Sequence, residues 1–104
     1  MEGRSKLIRD KIGERITREE KTAATHIATP EEYKVKLKEK LKEELQEYLL
    51  SENPEELADM LEVINALAEL QNLSKEDLEK IRQKKAQEKG TFKKKFILDK
   101  IEEK

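Results

Sequence analysis

Acidic residues three positions apart occur in two neighbouring stretches of the chain, EELQE and ELAD. Glu44 and Glu47 share one side of a helix, and so do Glu56 and Asp59, because residues three apart lie on the same face. Four carboxylates in one half-buried place would repel one another and lose hydration unless a cation neutralised them. We expect that cation to be Mg²⁺, or Mn²⁺ in its place, since both accept carboxylate oxygen ligands.

Some of these acids also have a simpler interpretation. Glu56 stands where a capping box places an acid, and Glu43 can pair with neighbouring lysines along its own helix. Glu and Lys are so abundant that some pairs are expected by chance. Asp59 fits this interpretation least, because the face around it is otherwise apolar. If the acids do hold Mg²⁺, a reaction of a phosphate ester is implied, since such sites commonly also bind substrate phosphates.

Three helices position these acids, and their starts are recognisable in the sequence. Each start has an N-cap residue and, three residues later, an acid at the capping-box position. The N-cap and acid pairs are Thr29 and Glu32, Asn53 and Glu56, and Ser74 and Asp77. The short connection SEN would make the first two helices antiparallel neighbours, so that their acids converge. The predicted helices cover residues 30–51, 54–72 and 75–88.

The apolar patterns give each helix a different place. The first helix carries a narrow stripe at spacings of three and four, which makes it amphipathic. The second is apolar around about half of its circumference, so we expect it to be central and buried from two sides. The third has few apolar residues and should lie at the surface. The first stripe comprises Tyr33, Leu37, Leu41, Leu45 and Tyr48, and the broad second face includes Leu57, Met60, Leu61, Val63, Ile64 and Leu67.

The segments outside these helices are less regular. Gly13 argues against one continuous helix in KLIRDKIGERI, and the conformation of residues 1–28 stays open. Gly90 is typical of a helix end, and FKKKFILDKI after it fits either a short strand or a helix. Phe92 and Phe96 are expected to be core residues, like the two tyrosines, rather than platforms for stacked bases.

The composition suits a single domain covering residues 1–104. Charged residues make up 45% of the chain, yet the net charge is −1, so the balance does not indicate a nucleic-acid partner. The absence of cysteine excludes disulfides and thiolate metal sites. The apolar runs are too short to span a bilayer. We therefore expect a soluble, cytoplasmic, all-α protein with no membrane and no nucleic-acid partner.

Four ordered blocks of the sequence resemble the MazG-like nucleoside triphosphate pyrophosphohydrolases, the all-α NTP pyrophosphatase superfamily. The blocks are KLIRDKI, EEYKVKLKEKLKEELQEYL, ELADMLEVINALAEL and LEKIRQKKAQEKGTF. They are similar to a small stand-alone branch related to phosphoribosyl-ATP pyrophosphohydrolase, and EELQE and ELAD match the EExxE and ExxD motifs of the family. The resemblance implies a helical bundle completed by oligomerisation, as a homodimer or a homotetramer.

The resemblance also implies a site and a reaction. Glu44, Glu47, Glu56 and Asp59 would bind Mg²⁺, and Glu43 or Glu47 would accept a proton from the attacking water. A nucleoside triphosphate, standard or damaged, would be cut between its α- and β-phosphates to give a monophosphate and pyrophosphate. Such an enzyme would remove unwanted nucleotides, a house-cleaning role.

Basic residues are needed to bind the phosphates of such a substrate. The candidates are Arg9 and Lys11, which lie in the RDK element of the family, and Lys85 and Lys89, for which a solvated cationic face is the simpler interpretation. Lys89 lies in KGTF, where the family commonly has RGGF, so a two-pronged arginine grip on phosphate is lost there.

Two alternatives to this function stay open. The first has phosphoribosyl-ATP as the substrate, although the RDK element is more typical of the general nucleotide-cleaning enzymes. The second is a helical interaction or nucleotide-binding module without catalysis, whose acids are caps and surface ion pairs. A dependence of stability on Mg²⁺ separates the enzyme from this module, which has no reason to bind the ion.

Overall fold

The computed structural model describes residues 5–103, which form an all-α structure of four helices with no strand. The helices are α1 (Ile12–Arg18), α2 (Pro30–Ser51), α3 (Pro54–Leu70) and α4 (Lys75–Lys89). The three predicted helices are confirmed, with ends that differ by at most two residues. The prediction for α3 was too long, because residues 71–72 form a turn in which Asn72 adopts a positive φ of 62°.

The N-caps explain why these helices begin where they do. Thr29 accepts a hydrogen bond from the backbone amide of Glu32, and Ser74 accepts one from Asp77. Only Ser74 and Asp77 complete a capping box with bonds in both directions. The side chain of Glu32 instead contacts His26, at 2.9 Å from Nε2 to Oε1. The capping box predicted at Thr29 is therefore incomplete, because the Glu32 side chain binds His26 and not the backbone amide of Thr29.

The box predicted at the start of α3 is also absent. Asn53 caps that helix by accepting a bond from the amide of Glu55, at 2.9 Å. The amide of Glu56 donates to the backbone oxygen of Asn53 and not to its side chain. The Glu56 carboxylate is consequently free of capping and points toward α2, where it takes part in the site described below.

Helices α2 and α3 pack as an antiparallel hairpin, and α4 contacts α3. Glu44 shares a cleft with Asp59 near the connection, while Tyr33 shares it with Ala66 at the other end, as an antiparallel pair requires. Within residues 5–103 the buried apolar core is small and consists of Leu37, Val63 and Ala68. Leu45 of the predicted stripe is exposed, and Glu44 beside it is the buried residue.

Only half of the broad apolar face of α3 is covered within the chain. Val63, Met60 and Leu67 are buried or half-buried on the side of α2. The other half is exposed, so the expectation that α3 is buried from two sides is wrong for a single chain. Together with two leucines of α2, it forms an apolar surface on the side of the hairpin away from the cleft. This back face consists of Leu45, Leu49, Leu57, Leu61 and Ile64.

The segments at the two ends agree only in part with the predictions. KLIRDKIGERI is not one continuous helix, as predicted, but the break lies before Ile12, where α1 starts, and not at Gly13, which lies inside α1. After Gly90, which ends α4 at a φ of 86°, the chain makes one turn and then continues without regular structure, so FKKKFILDKI is neither strand nor helix. Phe92 and Phe96 are 96% and 86% exposed, so their assignment to the core is wrong.

The apolar content of the helices does not reach that of a membrane span. Between residues 5 and 103, no helix combines the length and the hydropathy needed to cross a bilayer.

Candidate metal centre

A tight reversal between α2 and α3 brings their acidic residues together. Only Glu52 and Asn53 separate the two helices, and Glu52 takes the left-handed conformation with a φ of 55°. Its amide donates to the backbone oxygen of Tyr48, which closes the last turn of α2. Such a short link fixes how the helices align, so residues one or two turns before it face residues one or two turns after it.

The carboxylates predicted to bind metal do converge. Oxygen atoms of Glu44, Glu56 and Asp59 all lie within 4.8 Å of one another. Glu43, Glu44 and Glu47 form a second group, whose oxygen atoms also lie within 4.8 Å of one another. Glu44 belongs to both groups. The Glu47 carboxylate is close enough to Glu56 to raise the pKa of that residue, which places it beside the first group. The structure thus brings together all four predicted ligands, with Glu43 next to them.

Two oxygen atoms in this cluster have no hydrogen-bond donor. They are Glu44 Oε2 and Glu56 Oε2, and both are inaccessible to solvent. Glu44 is the more notable residue, because it is only 5% exposed and carries a charge when ionised. A buried carboxylate oxygen without a partner is costly, so a proton or a cation is needed at this point.

The protonation of the cluster reflects this shortage of donors. Burial raises the pKa of Glu44, opposed by the Glu56 side chain and by Lys40. The adjacent Glu44 carboxylate raises the pKa of Glu56 to about 7, because a protonated Glu56 can donate a hydrogen bond to it, and burial and Glu47 act in the same direction. Without a cation, the pair therefore holds a proton close to neutral pH.

Lys40 is a member of the site that the sequence analysis missed. Its Nζ lies 2.8 Å from Glu43 Oε2 and 3.5 Å from Glu44 Oε1, and its side chain is only 19% exposed. The bond from Lys40 lowers the pKa of Glu43, and in spite of partial burial these two acids raise the pKa of Lys40. Its spacing of three and four residues from the acids was a usable signal, hidden among many similar pairs in a chain rich in Lys and Glu.

The N-terminal segment supplies a second cation. Arg9 Nη2 donates to Asp59 Oδ1 at 2.7 Å, across fifty positions of sequence. Both Arg9 and Lys11 line a cleft of about 660 Å³ between this segment, α2 and α3. Glu44 and Asp59 line its wall, so the cleft opens directly onto the acidic cluster. The structure therefore places both of these predicted phosphate-binding residues at the site.

The two basic residues predicted on α4 are placed elsewhere. Lys85 and Lys89 are exposed and do not line the cleft, which in the described range is built by the N-terminal segment, the start of α1, α2 and α3. Among the described helices α4 contacts α3, and these two lysines face solvent, so their binding of substrate stays a prediction.

The residues of the cluster fit a divalent cation. Several carboxylates from two rigid helices offer oxygen ligands, and two of the buried oxygens lack any donor. Mg²⁺ and Mn²⁺ are hard cations that such oxygens suit, whereas the cluster offers no nitrogen or sulfur ligand of the kind that zinc prefers. An acidic cluster could hold such an ion, with a cleft beside it for a ligand.

No protein-family model, no curated protein and no solved structure matches this chain.

Proposed function

We propose that the protein is a Mg²⁺-dependent nucleoside triphosphate pyrophosphohydrolase of the MazG-like type. The observation that carries this proposal is the convergence of Glu44, Glu47, Glu56 and Asp59, with unpartnered buried oxygens, at one wall of a cleft that also contains Arg9. Acidic residues that can bind a cation therefore lie beside a basic residue that can bind an anion. This pairing suits a substrate that brings phosphates to a divalent ion.

The acidic residues serve as metal ligands or as proton acceptors in this proposal, and Glu47 serves as both. Glu44, Glu47, Glu56 and Asp59 hold Mg²⁺, which when bound would polarise a phosphate oxygen and lower the pKa of the attacking water. Glu43 is fixed by Lys40, and the bond lowers its pKa, which makes it a weak proton acceptor. Glu47 is exposed and is therefore the better placed residue to take the proton of the water.

Arg9 and Lys11 would bind the leaving pyrophosphate. Arg9 donates to Asp59 through Nη2, and its guanidinium has further N–H groups from which a phosphate would accept. Its planar guanidinium matches the geometry of a phosphate, which a lysine cannot do.

The reaction would be hydrolysis between the α- and β-phosphates of a nucleoside triphosphate, giving a monophosphate and pyrophosphate. A cleft of about 660 Å³ falls within the usual range of small-molecule sites and has room for a nucleotide. The apolar side chains of Leu7, Ile8 and Tyr33 line it and could receive a base. Phosphoribosyl-ATP is the second substrate to test, because the same phosphate chemistry would act on it.

The decisive experiment is pyrophosphate release from a panel of standard and damaged nucleoside triphosphates and phosphoribosyl-ATP. Each is incubated with Mg²⁺ or with excess EDTA, using wild type, Asp59→Asn and the matched control Asp99→Asn. Asp99 is exposed in the C-terminal part of the chain and does not line the cleft. We expect release that requires Mg²⁺, is unchanged in Asp99→Asn, and falls at least about 100-fold in Asp59→Asn.

The opposite results also have a clear meaning. Turnover that persists in Asp59→Asn would remove Asp59 from the site. A folded protein that binds Mg²⁺ but releases no pyrophosphate from any substrate would reject the enzyme and favour a metal-binding module. A protein whose stability is the same with Mg²⁺ and with EDTA would reject the metal centre itself.

A further inference from the structure

The back face and the C-terminal segment each leave large apolar side chains exposed. The back face, defined above, presents leucines and one isoleucine on α2 and α3. The segment FKKKFILDKI, residues 92–101, is called the tail here, and its apolar side chains are 75% to 96% exposed: Phe92, Phe96, Ile97, Leu98 and Ile101. Contiguous exposed apolar surface of this extent marks an interaction site on a soluble protein.

The two surfaces carry opposite charge. Residues 43–74, which include α3 and the end of α2, contain nine acidic residues and no Lys, Arg or His. The tail contains four lysines and one aspartate. Lys93, Lys94 and Lys95 have no acidic partner among residues 5–103. Complementary charge of this kind orients partners and speeds their encounter.

The acids of α3 are arranged along the helix in a way that suits an extended partner. Glu55, Glu62 and Glu69 recur every seven residues and form an exposed line, which meets the edge of the cleft at Glu62. This line runs about a third of the circumference away from the apolar stripe formed by Leu57 and Leu61. None of the three acids makes a salt bridge within the described part of the chain. A segment lying along α3 can thus place apolar side chains on one line and lysines near the other.

The dimensions agree with such a contact. Ten extended residues span up to roughly 33 Å, while the seventeen residues of α3 span about 26 Å. The tail is therefore long enough to run along the whole helix. Within one chain, however, tail and back face are both exposed, and the molecule extends 67 Å along its longest axis.

We infer that the tail of one chain binds along α3 of a second copy, with its apolar side chains on the back face and its lysines toward the acidic line. The second copy offers in return the same tail and the same face, so that the contact closes with twofold symmetry. This inference does not depend on the metal centre or on the proposed enzymatic activity. It assigns a role to a long segment that the fold of a single chain leaves unpacked.

Sedimentation of three variants tests the contact. Leu61→Asp and Phe96→Asp each change an exposed residue, 56% and 86% accessible, so each chain can still fold. We expect wild type to sediment at twice the chain mass of 12.2 kDa or more. Each variant should raise the dissociation constant by about tenfold or more. Val35→Asp, at an exposed apolar position outside both surfaces, should associate like wild type.

Three sedimentation results would overturn the inference. The first is a wild-type protein that is monomeric, including one that instead binds vesicles of anionic lipid. The second is a loss of association in Leu61→Asp while Phe96→Asp associates like wild type. This result would mean that helices pair face to face without the tail. The third is loss of association in Val35→Asp to the same degree, which would mean that neither surface is specific.

Zero-length cross-linking with a carbodiimide distinguishes contact between chains from folding back within one chain. A mixture of ¹⁵N-labelled and unlabelled protein is cross-linked, and the linked peptides are identified by mass. We expect links between Lys93–Lys95 and the α3 acids Glu55, Glu62 or Glu69 in peptides that combine the two isotopes. Links found only within one isotope would show that the tail folds back onto its own α3, and links only to other acids would exclude this face.

Discussion

Glu56 is the residue whose protonation depends most on its neighbours, because the Glu44 carboxylate raises its pKa to about 7. In the unfolded chain this carboxyl ionises near its ordinary value of 4.5. Between these two values the folded protein holds a proton that the unfolded chain has lost. The contribution of Glu56 to stability is therefore present at low pH and is lost as the pH rises through about 7.

This sign gives a prediction for the protein without metal. In EDTA, wild type should lose more unfolding free energy between about pH 5 and about pH 8 than Glu56→Gln does. Added Mg²⁺ should remove most of the loss in wild type, because the cation replaces the proton. Thermal unfolding monitored by circular dichroism measures both effects. Glu69→Gln, at an exposed site on the same helix, should follow wild type, and parallel profiles for wild type and Glu56→Gln would contradict the assignment.

Arg9 gives a second prediction at the scale of one residue. It pairs with Asp59 at a half-exposed position, so Arg9→Gln should lower the unfolding free energy by less than about 1 kcal/mol. The same change removes a competitor for Asp59 and should tighten Mn²⁺ binding by roughly two- to fivefold. Turnover should nevertheless fall by about 100-fold, since the leaving phosphates lose a cation. Isothermal titration calorimetry and a pyrophosphate assay measure the two opposite effects.

The matched control for Arg9 is Arg82→Gln. Arg82 also binds a glutamate, Glu79, through its guanidinium, but on the exposed surface of α4. It should change neither Mn²⁺ affinity nor turnover. Weaker Mn²⁺ binding in Arg9→Gln would mean that Arg9 supports the metal centre and does not compete with it.

At this scale, the sequence predicts some parts of the site and not others. The convergence of Glu44 with Glu56 and Asp59 follows from helix periodicity and a short connection, both of which are local. The pairing of Arg9 with Asp59 does not, because it depends on the path of a segment without a periodic pattern. Its RDK element suggested a role for Arg9 only through the family resemblance.

The helices themselves were predictable where their signals are local. Thr29, Asn53 and Ser74 each cap the helix that follows, because the side-chain oxygen and the amide it binds are within three residues. The capping boxes predicted for Glu32 and Glu56 do not form. The side chain of each of these acids contacts a residue outside the first turn of its own helix, which the spacing alone does not reveal.

The cap of α3 can be tested without disturbing the acids. Asn53→Ala removes the bond to the amide of Glu55 and should lower the unfolding free energy by about 1 kcal/mol in urea denaturation. Ser74→Ala removes one bond of a reciprocal pair and should cost a similar amount. Mg²⁺ affinity should be unchanged in the Asn53 variant. Loss of Mg²⁺ binding in a protein that is still helical would mean that the start of α3 must be rigid for the site to form.

The molecule as a whole is too extended for a protein of its length. Its radius of gyration is 18.6 Å, against about 13 Å for a compact chain of this size. Among residues 5–103 only three apolar residues are buried, while fifteen large apolar side chains are exposed. Exposed apolar residues cannot be recognised as such in sequence, because periodicity reveals which face is apolar and not what covers it. The error over the second side of α3 has this origin.

If other copies of the chain cover these surfaces, stability should depend on protein concentration. Dissociation is then coupled to unfolding, and each tenfold increase in concentration should raise the melting temperature by roughly 3 to 6 °C. Differential scanning calorimetry over two orders of magnitude in concentration measures the shift. Phe96→Asp serves as the comparison and should show a smaller dependence. A melting temperature independent of concentration in wild type would mean that a single chain is the stable unit.

The run of nine acids without a base, residues 43–74, also bears on how a charged ligand reaches the cleft. A free nucleoside triphosphate, the proposed substrate, carries several negative charges and would be repelled by this part of the molecule, whereas its magnesium complex would be repelled less. The positive charges of Lys6, Arg9 and Lys11 would favour approach from the side of the cleft where these residues lie, opposite the acidic residues of its wall. Added salt would screen the repulsion and the attraction together, so the association rate reports which of the two dominates the encounter.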